Sequence, residues 1–143
     1  MLTVKILCVG NLKEKYLRDA CAEYEKRLSP YCKLAVTELK EGASLAPYIP
    51  SSGKCFKIAL CIDGKELSSE ELADKITEIQ NRGYSELLLI IGQFDGIPEE
   101  IVRTCDFRLS FSKMTFPHQL MRVILLEQLY RSFTIINGGK YHK

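Results

Sequence analysis

Short apolar runs and longer amphipathic stretches alternate along the whole chain. Runs rich in β-branched and aliphatic residues predict five strands, at residues 2–9, 33–39, 56–62, 86–91 and 106–110. Apolar residues at helical spacing predict long helices at 13–28, between Ser68 and Gly83, and at 117–133, with short ones near 43–49 and after Pro98. Because strands and helices alternate, we expect an α/β fold, with a mostly parallel sheet and helices on both faces.

The helix between Ser68 and Gly83 carries the clearest local signals. Ser68 and Glu71 have the spacing of a capping box, in which each side chain accepts a hydrogen bond from the other residue's backbone N–H. Gly83 stands where a left-handed residue commonly ends a helix. The third strand, in contrast, is predicted to end in a turn at Asp63-Gly64.

Size and composition indicate one ordinary globular domain, residues 1–143. A chain of this length buries a sizeable core, and its 46% hydrophobic and 27% charged residues are typical values. No apolar run approaches the length of a membrane span, and no charged and apolar leader precedes the first strand. We therefore expect a cytoplasmic protein without a membrane segment.

The six cysteines do not have the spacing of a zinc or redox motif, since no Cys-x-x-Cys pair occurs. Most lie among apolar neighbours, as in ILCVG and IALCID. We interpret them as reduced thiols that act as small core residues, and we expect no bound metal.

Three predicted loops follow strong strands, and ligands of open α/β sheets bind at the carboxyl ends of strands. These loops are Asp63–Lys65, Gly92–Gly96 and Ser110–Phe116. Gly92 and Gly96 would allow the backbone to approach a ligand closely, although tight turns also need glycine. The sequence contains neither the Gly-x-Gly-x-x-Gly fingerprint after the first strand nor a P-loop lysine motif. Dinucleotides and nucleoside triphosphates are therefore disfavoured.

The last predicted helix is apolar almost all round and carries a few charged residues. His118 and Arg122 are four residues apart and should share a face, while Glu127 and Arg131 should pair with each other. A core or capping role for His118 and an interface ion pair for Arg122 are the structural alternatives. So apolar a helix is expected to be buried against its own sheet and against a partner subunit.

Positive charge is concentrated at the C-terminal end of the chain. From Ser112 onward five basic residues face one acidic residue, Glu127, which gives a net charge of +4 (five minus one); the basic residues are Lys113, Arg122, Arg131, Lys140 and Lys143. A basic surface of this kind favours contact with an anionic polymer.

The segment LSFSKMTFPHQLMRVILLEQLYRSF with the terminal YHK closely resembles the ribosomal large-subunit pseudouridine N3-methyltransferase family, RlmH. ILCVGNLKEKYLRDACAEYEKRLSPYCK, IDGKELSSEELA and LLLIIGQFDG extend the resemblance over essentially the whole chain. The family methylates pseudouridine 1915 of 23S ribosomal RNA on the ribosome. It belongs to the SPOUT methyltransferases, which form homodimers and bind S-adenosylmethionine in a C-terminal trefoil knot. The resemblance therefore implies this fold, cofactor, substrate and dimer.

The resemblance also implies site residues. Cofactor-binding positions are the end of the third strand, the glycine loop and the segment before the last helix: Leu60, Gly92, Phe111, Ser112, Lys113, Met114, Thr115 and Phe116. Candidates for favouring the N3 anion are His118 and Arg122 on the last helix with Tyr141 and His142 of the tail, the latter two from either subunit. Lys113, Arg122, Lys140 and Lys143 are candidate phosphate contacts.

Two departures from the family pattern leave alternatives open. Gln93 stands at the second position of the glycine loop, where the family usually has glycine, and the connection before Lys40-Glu41-Gly42 is shorter than usual. Gln93 motivates one alternative, a module that binds cofactor or RNA without turnover. The other alternative is methylation of a different RNA nucleotide, because a small SPOUT domain without an added RNA-binding domain must take its specificity from the folded ribosome.

Overall fold

A computed structural model describes residues 1–93 and 95–142. It contains five strands, β1 (Thr3–Val9), β2 (Lys33–Leu39), β3 (Cys55–Glu66), β4 (Glu86–Ile91) and β5 (Phe107–Ser110). The helices are α1 (Lys15–Leu28), α2 (Ser69–Asn81), α3 (Glu99–Val102) and α4 (His118–Ile136), and a single 3-10 turn spans Ala46–Tyr48. Phe94 in the predicted loop after the fourth strand and Lys143 in the predicted tail lie outside the described residues.

The strands form one sheet in the order β2-β1-β4-β3-β5, and every paired strand is parallel to its neighbour. The predicted α/β class with a parallel sheet is thus confirmed. Alternate residues of β1 and β4 enter two separate cores: Val4 and Leu87 belong to one, Leu7 and Leu88 to the other. This alternation is what a sheet buried on both faces requires.

The two faces are covered unequally. Three long helices cover the first face, through residues such as Cys21 of α1, Ile76 of α2 and Leu125 of α4. The second face is covered by Leu45 beside the 3-10 turn and by Ile101 of the one-turn helix α3. Pro47 and Pro50 lack backbone N–H donors, so the predicted helix near 43–49 shrinks to that turn.

Local sequence signals are accurate for α2. Ser68 accepts a hydrogen bond from the backbone N–H of Glu71 at 3.1 Å, and Glu71 accepts one from the backbone N–H of Ser68 at 2.8 Å. Gly83 has a φ of +91°, as predicted for the residue after the helix.

Four of the cysteines are buried, and all six are unpaired; burial raises the pKa of Cys8 and of Cys32 to about 11. The interpretation as reduced core thiols is confirmed for these four.

The predicted turn at Asp63-Gly64 is wrong, because β3 continues through it to Glu66. Leu60 and Lys65 are both in register with Leu109 of β5, so the residues between them leave the ladder and rejoin it. A Cβ atom at Gly64 would lie 2.9 Å from backbone atoms of Arg108 and Leu109. Glycine is needed here for a close approach between two strands, and not for a turn.

Candidate active site

The carboxyl ends of β3, β4 and β5 open into one cavity of about 660 Å³. Its walls come from residues 60–63 of β3, the loop after β4, the start of α3, the loop between β5 and α4, and the first turn of α4. Seven of the eight predicted cofactor-binding residues line it; these are Leu60, Gly92, Phe111, Ser112, Met114, Thr115 and Phe116. The eighth, Lys113, is exposed to solvent beside them.

The loop between β5 and α4 is shaped by its own hydroxyl groups. Ser110 Oγ donates to the Ser112 carbonyl oxygen at 2.9 Å, and Ser112 Oγ accepts from the Met114 N–H at 2.9 Å. Short side-chain to backbone bonds of this kind fix a turn that the backbone alone would not hold. Pro117 then precedes α4 with an extended ψ of 135°, so His118 is the first helical residue.

The glycine loop is tight for reasons that lie within the loop itself. Gly96 donates its N–H to the Gln93 carbonyl at 2.8 Å and has a φ of +89°. A Cβ atom at Gly92 would lie 2.6 Å from the carbonyl carbon of Gly96. Gly92 is therefore required by the fold of the loop, and Gln93, half-buried, lines the cavity beside it.

Several charged groups line the cavity, and two of them, Arg108 and Glu99, lie outside the loops that the sequence predicted to bind a ligand. Arg108 of β5 lies 3.0 Å from the Glu99 carboxylate and 3.8 Å from that of Asp63, and Asp95 also lines the cavity. The available sequence signal was Arg108 itself, a charged residue between the apolar residues of a short strand that precedes a predicted ligand loop. Among the charged residues that line the cavity, three carboxylates outnumber one guanidinium, which gives this lining an acidic character.

His118 and Arg122, predicted to share a face, are directed to different sites. His118 is half-buried and lines the cavity. The Arg122 side chain is only 9% exposed and lies 2.7 Å from the carboxylate of Glu38 on β2. Its surroundings form a separate small cavity of about 180 Å³ between α1, α4 and the sheet. Arg122 therefore does form an ion pair, but its partner, Glu38, belongs to the same chain and not to a second subunit.

Tyr141 and His142 lie away from the cavity of their own chain. Tyr141 donates to the Glu127 carboxylate at 2.9 Å, and its ring packs edge-on against Tyr130 at 4.6 Å. His142 contacts Arg131 through Nδ1 at 3.3 Å and Glu70 through Nε2. Helices rise about 1.5 Å per residue, so the nine residues from His118 to Glu127 place the tail roughly 14 Å along α4.

The predicted pair of Glu127 and Arg131 is confirmed, and it also holds the tail. Their closest atoms are 2.7 Å apart, and the hydrogen bond with Glu127 raises the pKa of Arg131. Burial, followed by hydrogen bonding with Tyr24 and Glu127, raises the pKa of Tyr141. The Tyr141 phenol is thus a hydrogen-bond donor in this arrangement rather than a base.

Within residues 1–93 and 95–142 no group of three or more His, Cys, Asp or Glu is arranged to hold a metal ion. Among the helices described, none is long and apolar enough to cross a membrane.

A family model described as "Predicted SPOUT methyltransferase" matches residues 2–142. The chain belongs to this SPOUT methyltransferase family. Among its relatives, a protein of Bifidobacterium adolescentis named Ribosomal RNA large subunit methyltransferase H is 47% identical, over 99% of this chain and 100% of that protein. A protein of the same name from Carboxydothermus hydrogenoformans is 48% identical over the same shares.

Solved structures agree with this family at the level of the fold. A structure described as a probable methylase family protein from Haemophilus influenzae superimposes with a TM-score of 0.62 at 11% identity. The superposition covers 98% of this chain and 70% of the Haemophilus chain.

This chain is shorter than the Bifidobacterium relative, since their alignment has 161 positions and this chain has 143 residues. The prediction that a connection has been shortened agrees with that difference.

Proposed function

We propose that this protein is an S-adenosylmethionine-dependent methyltransferase that methylates N3 of a pseudouridine in 23S ribosomal RNA. It would act as a cytoplasmic homodimer. One observation carries the proposal: the strand ends and the first turn of α4 converge on a single cavity lined by seven of the predicted cofactor residues and by His118. Full-length relatives at 47% and 48% identity, named for ribosomal RNA methylation, support the substrate class.

The cavity fits the proposed cofactor in size and chemistry. Small-molecule sites typically have volumes of roughly 300–1,000 Å³, and this cavity has about 660 Å³. Leu60, Ile91 and Met121 provide apolar walls for a purine ring, while the loops after β4 and β5 present backbone donors and acceptors. When bound, S-adenosylmethionine supplies a methyl group on a cationic sulfonium, which the acidic wall around Glu99 would favour.

His118 is the proposed residue that handles the N3 proton. The imide N–H must lose its proton as the bond between N3 and the methyl carbon forms, and a neutral imidazole can accept it. His118 is the member of the proposed catalytic set that lines the cavity. Arg122 would contribute indirectly, since its contact with Glu38 holds α4 against β2.

The tail residues would act in the cavity of a second copy. Tyr141 and His142 are bound to the far part of α4 in their own chain, so an in-chain role would require them to move about 14 Å. An antiparallel pairing of two α4 helices would place each tail near the other cavity. Leu120 and Ile136, exposed at the two ends of α4, provide an apolar surface for that pairing.

The trefoil knot belongs to the same proposal. A trefoil knot needs one segment of the chain to cross through a loop formed by another. Most folds avoid such crossings, so the family membership is the reason for inferring one here. A trace of the chain in an experimental density map would test it.

The test is methyl transfer to ribosomes from a strain that lacks the gene. Purified protein, labelled S-adenosylmethionine and 70S ribosomes, 50S subunits or free 23S RNA would be incubated, and the RNA fragments mapped by mass spectrometry. We expect one methyl group, on a 23S pseudouridine, and loss of transfer for His118→Ala. A methyl group on another nucleotide would overturn the substrate assignment.

The alternative of a module without turnover is tested separately by calorimetry. Gln93, which lines the cavity, is the feature that motivates it. Binding of S-adenosylmethionine without transfer to any RNA would favour the module, and Gln93→Gly would then be expected to restore transfer. Absence of binding would contradict both the enzyme and the cofactor-binding module.

A further inference from the structure

We propose that the connection between β1 and α1 carries an RNA-binding surface beside the active-site cavity. In this β1–α1 surface, defined by Lys13, Lys15 and Tyr16, the two lysines contact phosphates and the tyrosine ring stacks on an unpaired base. The proposal rests on the proposed function, because it assigns to that function a contact surface for its RNA substrate.

The Tyr16 side chain is exposed to solvent, where it is available to a partner, and is not part of the core. It is 70% exposed, whereas Tyr24 and Tyr31 of the same region are packed against the core. Lys15 precedes it and Lys13 lies three residues earlier, while Leu17, which follows, packs against the core and leaves Tyr16 outside any exposed apolar patch. Aromatic rings presented between basic side chains are how many proteins bind unpaired bases, since every base has a face on which a ring can stack.

The surface is held in a fixed position from two sides. Arg18 Nη1 donates to the carbonyl oxygens of Leu12 and Lys13 at 3.1 and 2.8 Å. The backbone N–H of Lys13 donates to Gln119 Oε1 of α4 at 3.1 Å. A segment that is already ordered loses little conformational entropy when it binds a partner.

The same contacts place the surface next to the cavity. Gln119, which receives the Lys13 bond, directly follows His118, which lines the cavity. A Cβ atom at Gly10, where β1 ends, would lie 3.6 Å from His118 Nε2. RNA bound at Lys13 and Tyr16 would therefore lie close to a nucleotide inserted at His118.

Exposure of the lysine side chains, and not net charge, favours this surface over the two α4 arginines of the predicted basic patch, because Glu14 and Asp19 offset its two lysines. Arg122 and Arg131 of that patch are paired with Glu38 and Glu127 at 2.7 Å each. Lys15 contacts Asp19 at 2.6 Å, but both side chains are more than 60% exposed, and exposed pairs of this kind exchange readily for other partners. The phosphate contacts expected of Arg122 are thus better assigned to Lys13 and Lys15.

The experiment compares ribosome binding by matched variants of the full-length protein. Lys13→Ala/Lys15→Ala would be compared with Lys33→Ala/Lys54→Ala, whose exposed lysines lie at the amino ends of β2 and β3, opposite the cavity. Tyr16→Ala would be compared with Tyr48→Ala, a 49% exposed tyrosine at the 3-10 turn. Tyr16→Trp serves as the conservative variant.

We expect the Lys13/Lys15 variant to weaken ribosome binding roughly tenfold and to lower the salt dependence of log Kd by about one to two units. Tyr16→Ala should weaken it about tenfold, and Tyr16→Trp should retain binding. The control variants should stay within about twofold of the wild type, and S-adenosylmethionine affinity should be the same in all five.

Three results would overturn the surface. Wild-type ribosome binding by the Lys13/Lys15 and Tyr16 variants is one, and equal losses in the control variants are another. The third is dissociation of the dimer by Tyr16→Ala in light scattering, which would make Tyr16 a subunit contact. If the wild type binds ribosomes through this surface but transfers no methyl group, the proposed function fails and the surface stands.

Discussion

The two ends of α4 are built in opposite ways. At the first turn, His118 and the loop before it surround an open volume of about 660 Å³. In its second half, Glu127 and Arg131 bind each other and the tail residues Tyr141 and His142. One end leaves polar groups facing a space, whereas the other pairs nearly all of them.

This difference explains how one helix can serve two separate sites. A cavity with an imidazole at its edge is suited to bind a ligand and accept a proton. A network of paired charges is suited to hold a segment in place until a better partner competes for it. The cavity end therefore defines the proposed reaction site, and the paired end stores the tail that a second copy would use.

Removal of residues 141–143 should separate the two ends most strongly. Methyl transfer to ribosomes should fall by about a thousandfold, because the N3 anion loses its stabilising groups, while cofactor binding at the other end of α4 persists. Single-turnover kinetics and calorimetry measure the two effects. Lys33→Ala, which changes an exposed lysine at the amino end of β2, is the control, and equal loss of cofactor affinity on truncation would contradict the separation.

Glu38→Ala should weaken the ion pair with Arg122, which holds α4 against β2 between its two ends. It leaves the Arg122 guanidinium, whose side chain is 9% exposed, without its carboxylate. Because the Glu38 side chain is itself 41% exposed, the loss should be smaller than for a fully buried pair, a decrease of about 1–2 kcal/mol in the free energy of unfolding. Denaturant titration measures this change. Lys15→Ala, which breaks an exposed pair, should cost less than about 0.5 kcal/mol, and a similar cost for both variants would show that Arg122 is not an anchor.

Gly92→Ala tests the cavity end alone. The added Cβ would lie 2.6 Å from the Gly96 carbonyl carbon, so the loop must shift. We expect cofactor affinity to fall about tenfold, with stability lowered by about 1–2 kcal/mol. Gly53→Ala adds a Cβ with nothing within 4 Å and is the control. Unchanged cofactor affinity in the Gly92 variant, measured by calorimetry, would remove this loop from the binding site.

The smallest expected effect is a change in stability at alkaline pH, and it involves only the second half of α4, where the tail is bound. Because the folded state raises the pKa of Tyr141, it favours the neutral phenol. Its contribution to stability is full below the ordinary tyrosine pKa of about 10 and is lost as the pH rises beyond that value. Tyrosinate absorbance should therefore show one late-titrating tyrosine that is missing in Tyr141→Phe. Identical titrations of the two proteins would contradict the contact.

What the sequence could predict follows the range of the interactions involved. The α2 capping box and Gly83 depend on neighbouring residues, and both were predicted correctly. The extension of β3 through Asp63-Gly64 was missed because the backbone that requires glycine belongs to β5, far along the chain.

The candidate site divides in the same way. Strand-end loops are predictable because parallel strands place their carboxyl ends at one edge, and residues of two of the three predicted loops, Gly92–Gly96 and Ser110–Phe116, do line the cavity. The third, Asp63–Lys65, lies within β3, and only Asp63 of it lines the cavity. Four-residue spacing suggested that His118 and Arg122 work together. Arg122 instead meets Glu38 of β2, a partner that helical spacing cannot reveal. The attachment of Tyr141 to Glu127 is likewise a tertiary contact.

Mixing two inactive proteins tests most directly whether the two ends of α4 serve different copies. His118→Ala has an intact tail, and the chain truncated after Lys140 has an intact cavity. If each reaction site combines the cavity of one copy with the tail of the other, randomly mixed dimers should recover about a quarter of wild-type methyl transfer. No recovery, with mixed dimers demonstrated by mass spectrometry, would contradict the shared site.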